Sequence, residues 1–431
     1  MRSTGCPVQL RLKELTMDKV STNSTRAKYL SYIDQQVFLN EVNRLRQDRY
    51  TKKLTALKFV KLMMVAQIQQ TPTLTDISAK LSADERLQRD MELPSISTAQ
   101  LSRKLRDIEP ELVEKALAHC VHQVSLRCGS SQSLSRITRL HLIDSSTLSM
   151  CLSQYRWADF RRTKAGVKIH LRLVFQDGFV YPEQVLLTHA RPADRSKMDD
   201  LVVSEEGALN VFDRGYVDYK KFDDYCKGSI HFVTRLKENA VIHEVIEERL
   251  VAADSSVTRE ALVRLGSLPK SVMQHTLRLI ETRDGEGNRI VILTNDLAHG
   301  AQEICDIYRK RWQIELFFKW VKQHLILKRL YGKSERAVYN QIRIALIAYC
   351  VLLLLQHDAE HQGRLLAVYK CLRLCWDKTV DEFLTLLFPK CKRKSRGRRK
   401  LNANKMFEET TQQYDDGNAE HLDWLTYDPL I

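Results

Sequence analysis

Hydrophobic and polar positions change their spacing twice along the 431-residue chain. From residue 17 to about 130, apolar residues recur at helical intervals, which predicts a set of packed helices. From about residue 136 they alternate, so that Val167, Ile169 and Leu171 lie on one face of a predicted strand. Helical spacing returns after about residue 300. The pattern predicts an α/β protein, with helices packed on a mixed sheet and helical regions on either side.

These changes divide the chain into five predicted segments. The interval between the sheet and the last helices contains a predicted hairpin around the turn RDGEGN, which indicates a β-rich insertion. The segments are a helical N-terminal domain (1–130), the first part of an α/β core (131–236), the β-rich insertion (237–298), the second part of the core (299–356) and a helical C-terminal region with a basic tail (357–431).

Charge suggests a partner. The chain has 68 Lys and Arg against 53 Asp and Glu, a net charge of +15 and a pI near 9.3. Such an excess favours polyanions, foremost nucleic acid, although a merely basic protein is an equal alternative. The tail 390–400 has eight basic residues and no acidic one, so it either follows phosphates or is a solvated extension.

A helical pair in the N-terminal segment is a candidate DNA reader. Ser97 and Gln100 form a capping-box pattern at the start of a helix that carries Arg103, Lys104 and Arg106. With the helix predicted just before it, this element resembles a helix-turn-helix. A plain amphipathic pair with a solvated basic face is the alternative.

Cysteine usage and hydropathy indicate a soluble, cytoplasmic protein. None of the ten cysteines has C-x-x-C spacing, so we expect idle thiols in a reducing compartment. The opening residues lack the apolar core of a secretory signal, and Met17 is an alternative start. The apolar run from Ile344 to Leu355 is too short to span a bilayer and predicts a buried helix, so we expect no membrane partner.

Three carboxylates are placed where they can meet. Asp144 and Asp213 each end a predicted strand, and Glu315 lies within a predicted helix. Residues at the ends of neighbouring strands converge, and a helix across that edge can supply a third acid. Such a cluster is tolerated when divalent cations neutralise it, and oxygen ligands suit Mg²⁺ or Mn²⁺. Taken singly, each acid is more simply a turn, cap or ion-pair residue.

The helix that carries Glu315 has an unusual distribution of side chains. At about 100° per residue, Tyr308, Arg311, Glu315 and Lys322 share one stripe. A second stripe is apolar, and Trp312, Leu316 and Trp320 occupy the sector that water should cover. A polar stripe on a helix that is apolar nearly all round should face something other than bulk water. A nucleic-acid backbone fits, because Arg311 is a planar donor suited to phosphate oxygens.

The spacing Tyr-x2-Arg-x3-Glu-x6-Lys, from Tyr308 to Lys322, resembles the YREK signature of bacterial insertion-sequence DDE transposases of the insertion-sequence-four family. Asp144 in LIDSSTL and Asp213 in VFDRGY are similar to the first two acids of that family, and the likeness runs from about residue 136 to 355. It implies an RNase H-like core with a β-rich insertion. It also implies that Asp144, Asp213 and Glu315 are catalytic and hold two Mg²⁺ (or Mn²⁺) ions per active site.

The resemblance further implies DNA cleavage at insertion-sequence ends and strand transfer into target DNA. The partners would be double-stranded DNA, as terminal inverted repeats and target, and a second copy of the chain in a nucleoid-associated homodimer. The residues expected to contact DNA are Tyr308, Arg311, Lys322, Trp312 and Arg214. Trp312 would stack on an unpaired base. The alternatives are a catalytically silent DNA-binding derivative of the same fold and a metal-dependent nuclease that cuts without joining.

Overall fold

The computed structural model describes residues 24–128, 139–176, 179–251, 255–267, 271–284 and 286–389. Its N-terminal part, residues 24–128, contains seven helices, and in six of them a Ser, Thr or Asp side chain caps the first turn. They are α1 (Thr25–Ser31), α2 (Gln35–Arg44), α3 (Ala56–Ile68), α4 (Leu74–Ala83), α5 (Glu85–Met91), α6 (Thr98–Asp107) and α7 (Pro110–Cys128).

The predicted DNA reader is arranged differently from the expectation. The Ser97–Gln100 capping box is present at the start of α6, and α6 packs against α4. However, the short helix α5 lies between them, because Asp84 both ends α4 and caps α5. A helix-turn-helix joins its helices through a turn of about three or four residues. The two predicted helices are therefore present and packed together, but they are not joined by such a turn, and DNA recognition by α6 stays a prediction.

Five strands form the centre of a mixed sheet. They are β1 (Arg139–Cys151), β3 (Lys164–Gln176), β4 (Phe179–His189), β5 (Ala208–Phe212) and β6 (Phe232–Arg235), and the short β2 (Asp159–Arg161) pairs with the start of β3. Their order is β4-β3-β1-β5-β6, antiparallel up to β1 and parallel from β1 to β6. Helix α8 (Tyr219–Lys227) connects β5 to β6. This mixed sheet is consistent with the expected RNase H-like core.

The predicted β-rich insertion extends the same sheet. Its strands are β7 (Ile242–Arg249), β8 (Val257–Ser267), β9 (Ser271–Val272), β10 (Leu277–Arg283) and β11 (Arg289–Thr294). Strand β11 pairs antiparallel with β6, and the order continues β6-β11-β10-β8-β7, with β9 on β8. The hairpin predicted from the sequence is β10–β11. The insertion is therefore joined to the core by backbone hydrogen bonds.

Between the sheet and residue 389 the structure describes five helices: α9 (Ala301–Lys310), α10 (Trp312–His324), α11 (Glu335–Asp358), α12 (Leu365–Leu374) and α13 (Val380–Leu387). Helix α11 is long and apolar enough to cross a membrane, but 89% of its most apolar window is buried inside the protein. It packs against α3, α6 and α7, and Tyr29 donates a hydrogen bond to the Ala348 carbonyl at 2.9 Å. It is the core helix that the sequence predicts. The basic tail 390–400 lies outside the described residues.

The sequence predicts one continuous helix from Tyr308 to Lys322, but the structure has two helices there. The N–H of Arg311 donates to the Tyr308 carbonyl and that of Ile314 to the Arg311 carbonyl, each three residues back instead of four. This tighter turn separates α9 from α10. The predicted apolar stripe is nevertheless enclosed, since Ile314, Phe317 and Val321 are buried. Trp320, in the sector expected to face water, is buried as well.

Candidate active site

Two of the predicted acids stand side by side at one edge of the paired strands. In the parallel β1–β5 pair, Ile143 is opposite Phe212, and this is the last pair of the register. Asp144 and Asp213 are the residues immediately after that pair. Asp144 does not end its strand as predicted. Strand β1 continues to Cys151, and beyond Ile143 it is paired with β3 but no longer with β5. The polar run Ser145–Thr147 resembles a turn in the sequence, but it is extended because β3 holds its backbone.

Helix α10 places the third acid, Glu315, near Asp144, and the side chain of Arg311 contacts both acids. The Arg311 guanidinium lies 2.7 Å from Glu315 Oε1 and 3.9 Å from Asp144 Oδ2. Its side chain is only 14% exposed, and its Nε is buried without a hydrogen-bond partner among the described residues. A positive charge thus lies between the two carboxylates. The buried Nε is a donor that a phosphate oxygen would satisfy.

Asp144 behaves electrostatically as a member of this cluster. The pKa of its carboxyl is raised to about 6, mainly by burial and additionally by the charges of Asp213 and Glu315, while the Ser145 N–H and Arg311 oppose the shift. The Ser145 N–H donates to Asp144 Oδ1 at 2.7 Å. A carboxyl that resists ionisation beside two others is a group that a cation would stabilise.

The three acids do not surround a common point in this arrangement. Within the part of the chain that the structure describes, no group of three His, Cys, Asp or Glu side chains is placed to hold a metal ion. The physical reason is Arg311, whose guanidinium lies between Asp144 and Glu315. The contact of Arg311 with phosphate stays a prediction; in this arrangement its guanidinium neutralises the two acids.

The other members of the stripe surround the acids. Tyr308 is 9% exposed, burial raises the pKa of its hydroxyl to about 12, and the Arg311 guanidinium lies over its ring. Lys322 donates to Ser146 Oγ at 2.6 Å, which fixes α10 across β1 just beyond Asp144. Burial, followed by the charge of Lys328, lowers the pKa of Lys322. All of these side chains therefore converge on the edge where Asp144 lies.

Two residues that are predicted to contact DNA are exposed to solvent. Trp312, at the start of α10, is 55% exposed, which is unusual for a tryptophan and leaves its ring available to stack. Arg214 directly follows Asp213 and is exposed, with a long contact of 3.5 Å to Glu238. Neither is committed to the protein core.

Sequence reasoning missed a fourth carboxylate beside the acids. Asp194 lies in the segment between β4 and β5, where it accepts a hydrogen bond from Ser145 Oγ at 2.6 Å and pairs with Lys168 at 2.9 Å. Lys168 and His170, both on β3, are buried beneath this segment. Segment 190–203 has no periodic pattern, so only the fold could bring Asp194 beside Ser145.

Comparison with known proteins defines the class. A family model described as a transposase DDE domain matches residues 136–351, half of the chain, and a second, described only as a domain of unknown function, matches residues 21–91. The chain therefore belongs to the family of DDE transposases of insertion-sequence elements. The predicted family, α/β fold class and enzyme class are confirmed.

Particular relatives carry the same description. The chain is 30% identical over 272 residues to a probable transposase for insertion sequence element IS5377 of Geobacillus stearothermophilus, covering 63% of this chain and 70% of that protein. It is 27% identical over 307 residues to a putative transposase for insertion sequence element IS4SA of Synechocystis sp., covering 70% and 82%. A putative transposase, y4zB, of Sinorhizobium fredii is 33% identical over 219 residues, 49% of this chain and 60% of that protein.

The chain is thus a transposase, an enzyme that binds and acts on DNA in transposition. Its family generally uses divalent metal ions.

Proposed function

We propose that this transposase cleaves DNA at the ends of its insertion-sequence element and joins the freed strand to target DNA, with Asp144, Asp213 and Glu315 as the catalytic carboxylates. The observation that carries the proposal is the Ile143–Phe212 register, because it fixes Asp144 and Asp213 at adjacent positions on neighbouring parallel strands. Helix α10, attached to β1 through Lys322 and Ser146, holds Glu315 over the same edge.

The donor set fits Mg²⁺ or Mn²⁺, of which we propose two ions per site. Carboxylate oxygens are the ligands that these hard cations prefer, and Arg311 already occupies a cation's position between Asp144 and Glu315. Bound ions of this kind activate an attacking oxygen and stabilise a leaving one. For both carboxylates to act as ligands, Arg311 has to release them.

The residues around the acids would position the DNA end. Once released, Arg311 would donate to a terminal phosphate, and its unpartnered Nε supports this role. Tyr308 and Lys322 would contact neighbouring phosphates, and Arg214 would approach from the Asp213 side. The exposed ring of Trp312 would stack on an unpaired base beside the cleaved bond.

The proposed activity also suggests roles for the five segments, the DNA partners and the oligomeric state. We propose that the five segments 1–130, 131–236, 237–298, 299–356 and 357–431 act as an N-terminal DNA-binding domain, a catalytic core in two parts, its insertion, and a C-terminal region with a basic tail. The DNA partners would be terminal inverted repeats and target duplex. Cutting two ends together requires two active sites, which a homodimer in the bacterial cytoplasm, associated with the nucleoid, would supply.

The test uses purified protein, duplexes that carry the ends of the element, and Mg²⁺. We expect nicking at the element boundary followed by joining to a target duplex. Nicking alone would indicate a nuclease, and binding alone a silent derivative; either result would overturn the proposal. The Asp213→Asn variant should lose more than about 100-fold in cleavage, since even partners of metal ligands contribute about 10- to 100-fold. Its binding to the same duplexes should persist.

A further inference from the structure

The turn between α2 and α3 displays cations and an aromatic ring to solvent. We call residues 46–53 the N-terminal basic loop. It contains Arg46, Arg49, Lys52 and Lys53, all exposed, and Tyr50, whose side chain is 86% exposed. The Arg49 guanidinium lies over the Tyr50 ring, 5.0 Å from its centroid. The loop lies in the segment matched by the domain of unknown function, residues 21–91.

Within the described part of the chain, most charges of this loop have no anionic partner. Arg46, Lys52, Lys53 and the nearby Arg103 of α6 have no ion-pair or hydrogen-bond partner for their side chains among the described residues. In contrast, Arg44, just before the loop, pairs with Glu41 and Glu111. Exposed cations without an internal partner are available to an external polyanion.

The loop is rigidly attached to the capped helix α6. Asp48 accepts hydrogen bonds from the Ala56 N–H at 2.9 Å and from Lys104 Nζ at 2.6 Å. Gln47 Oε1 accepts from the Glu109 N–H at 2.7 Å, just beyond the end of α6. These bonds hold the loop beside α6, whose Arg103 is exposed, so that the loop and the helix form one surface.

The backbone of the loop adopts a conformation that its residues disfavour. Arg46 has φ +51° and Tyr50 has φ +64°, both in the left-handed region that glycine occupies most readily. The fold bears this cost at a position where a large aromatic side chain faces water. Strained residues of this kind are concentrated at binding and catalytic sites.

We propose that the N-terminal basic loop and Arg103 form a surface that grips the phosphate backbone of duplex DNA, with Tyr50 packed against the sugar edge. Four unpartnered cations on a rigid support match the regular phosphates of a duplex. The proposal rests on the proposed function, since it places part of the DNA outside the active site. It names the residues through which the proposed N-terminal DNA-binding domain would contact the duplex backbone.

The charge test measures full-length protein against a fluorescein-labelled, mixed-sequence duplex over a series of salt concentrations, because phosphate contacts need no particular sequence. The double variant Arg46→Ala, Lys52→Ala should weaken binding and reduce the slope of log Kd against log salt by about two. Lys227→Ala, an exposed lysine of α8, is the matched control and should leave the slope unchanged. An unchanged slope in the double variant would overturn the proposal.

The aromatic test separates binding from folding. Tyr50→Gly removes the strain and the ring together, so we expect a higher melting temperature and weaker DNA binding with an unchanged salt slope. Tyr50→Phe should bind like the wild type. Unaltered DNA binding by Tyr50→Gly would show that Tyr50 is not part of the DNA-binding surface.

The outcomes distinguish the two proposals. If all loop variants bind DNA like the wild type while the wild type still cleaves element ends, only the loop proposal fails. A wild type that binds no duplex would overturn the proposed function as well.

Discussion

The active-site edge and the N-terminal basic loop use the same residue types in opposite ways. At the edge of β1, Arg311 and Lys322 are largely buried and paired, with Glu315 and Asp144 or with Ser146. In the loop, Arg46, Lys52 and Lys53 are exposed and have no ion-pair partner within the part of the chain that the structure describes. Under the proposed functions, the cations beside the acids are held by internal partners until DNA arrives, whereas the loop cations are available to contact DNA first.

The strongest test of this difference is Arg311→Ala. Removing the guanidinium should tighten Mn²⁺ binding to the DNA-free protein by about tenfold, because one neighbouring opposite charge is equivalent to about one pKa unit or more, and one unit is about 1.4 kcal/mol. The affinity is read from the free-Mn²⁺ signal in electron paramagnetic resonance. Arg309→Ala, an exposed arginine of α9 paired with Asp306, is the control and should change nothing. Equal or weaker Mn²⁺ binding by Arg311→Ala would show that Arg311 does not compete with metal.

A smaller effect is expected at Lys322. Lys322→Ala should reduce the salt dependence of binding to element-end duplexes by about one in slope, the value of one phosphate contact. Ser146→Ala removes the partner of Lys322 but keeps its charge, so the slope should be unchanged. If both variants leave the slope unchanged, Lys322 only attaches α10 to β1 and makes no phosphate contact.

The smallest effect concerns Asp144 and pH. Its pKa is raised to about 6, above the ordinary range, so the folded state favours the neutral carboxyl. Ionisation therefore costs stability as pH rises through about 6. In EDTA, Asp144→Asn should melt a few degrees above wild type at pH 8, and this gain should shrink at pH 5. Asp107→Asn, at an exposed site, should show no such pH dependence; a flat difference for Asp144→Asn would contradict the raised pKa.

Sequence reasoning reached the sheet and its acids because local signals were strong. Buried apolar runs before Asp144 and Asp213 predict neighbouring strands, and the Tyr308–Lys322 spacing is specific. It failed where long-range contacts decide the outcome. The break at Arg311 is invisible to periodicity, which continues across it, and the extension of β1 through Ser145–Thr147 depends on pairing with β3.

The N-terminal loop illustrates another limit. Its basic residues are visible in the sequence, but they form a surface only because Asp48 joins the loop to Lys104 of α6 and because Tyr50 adopts a left-handed conformation. Neither contact partner nor dihedral angle follows from periodicity. Asp194 was missed for the same reason, since its contact with Ser145 spans 49 residues.

The most direct test of the proposed metal site is the number of Mn²⁺ ions that the protein binds. Mn²⁺ bound to the protein in complex with an element-end duplex can be titrated by electron paramagnetic resonance, for wild type, Asp213→Asn and Glu315→Gln. We predict two ions per active site in the wild type and a loss of high-affinity binding in both variants. Wild-type stoichiometry and affinity in either variant would contradict the claim that these three carboxylates form one metal site.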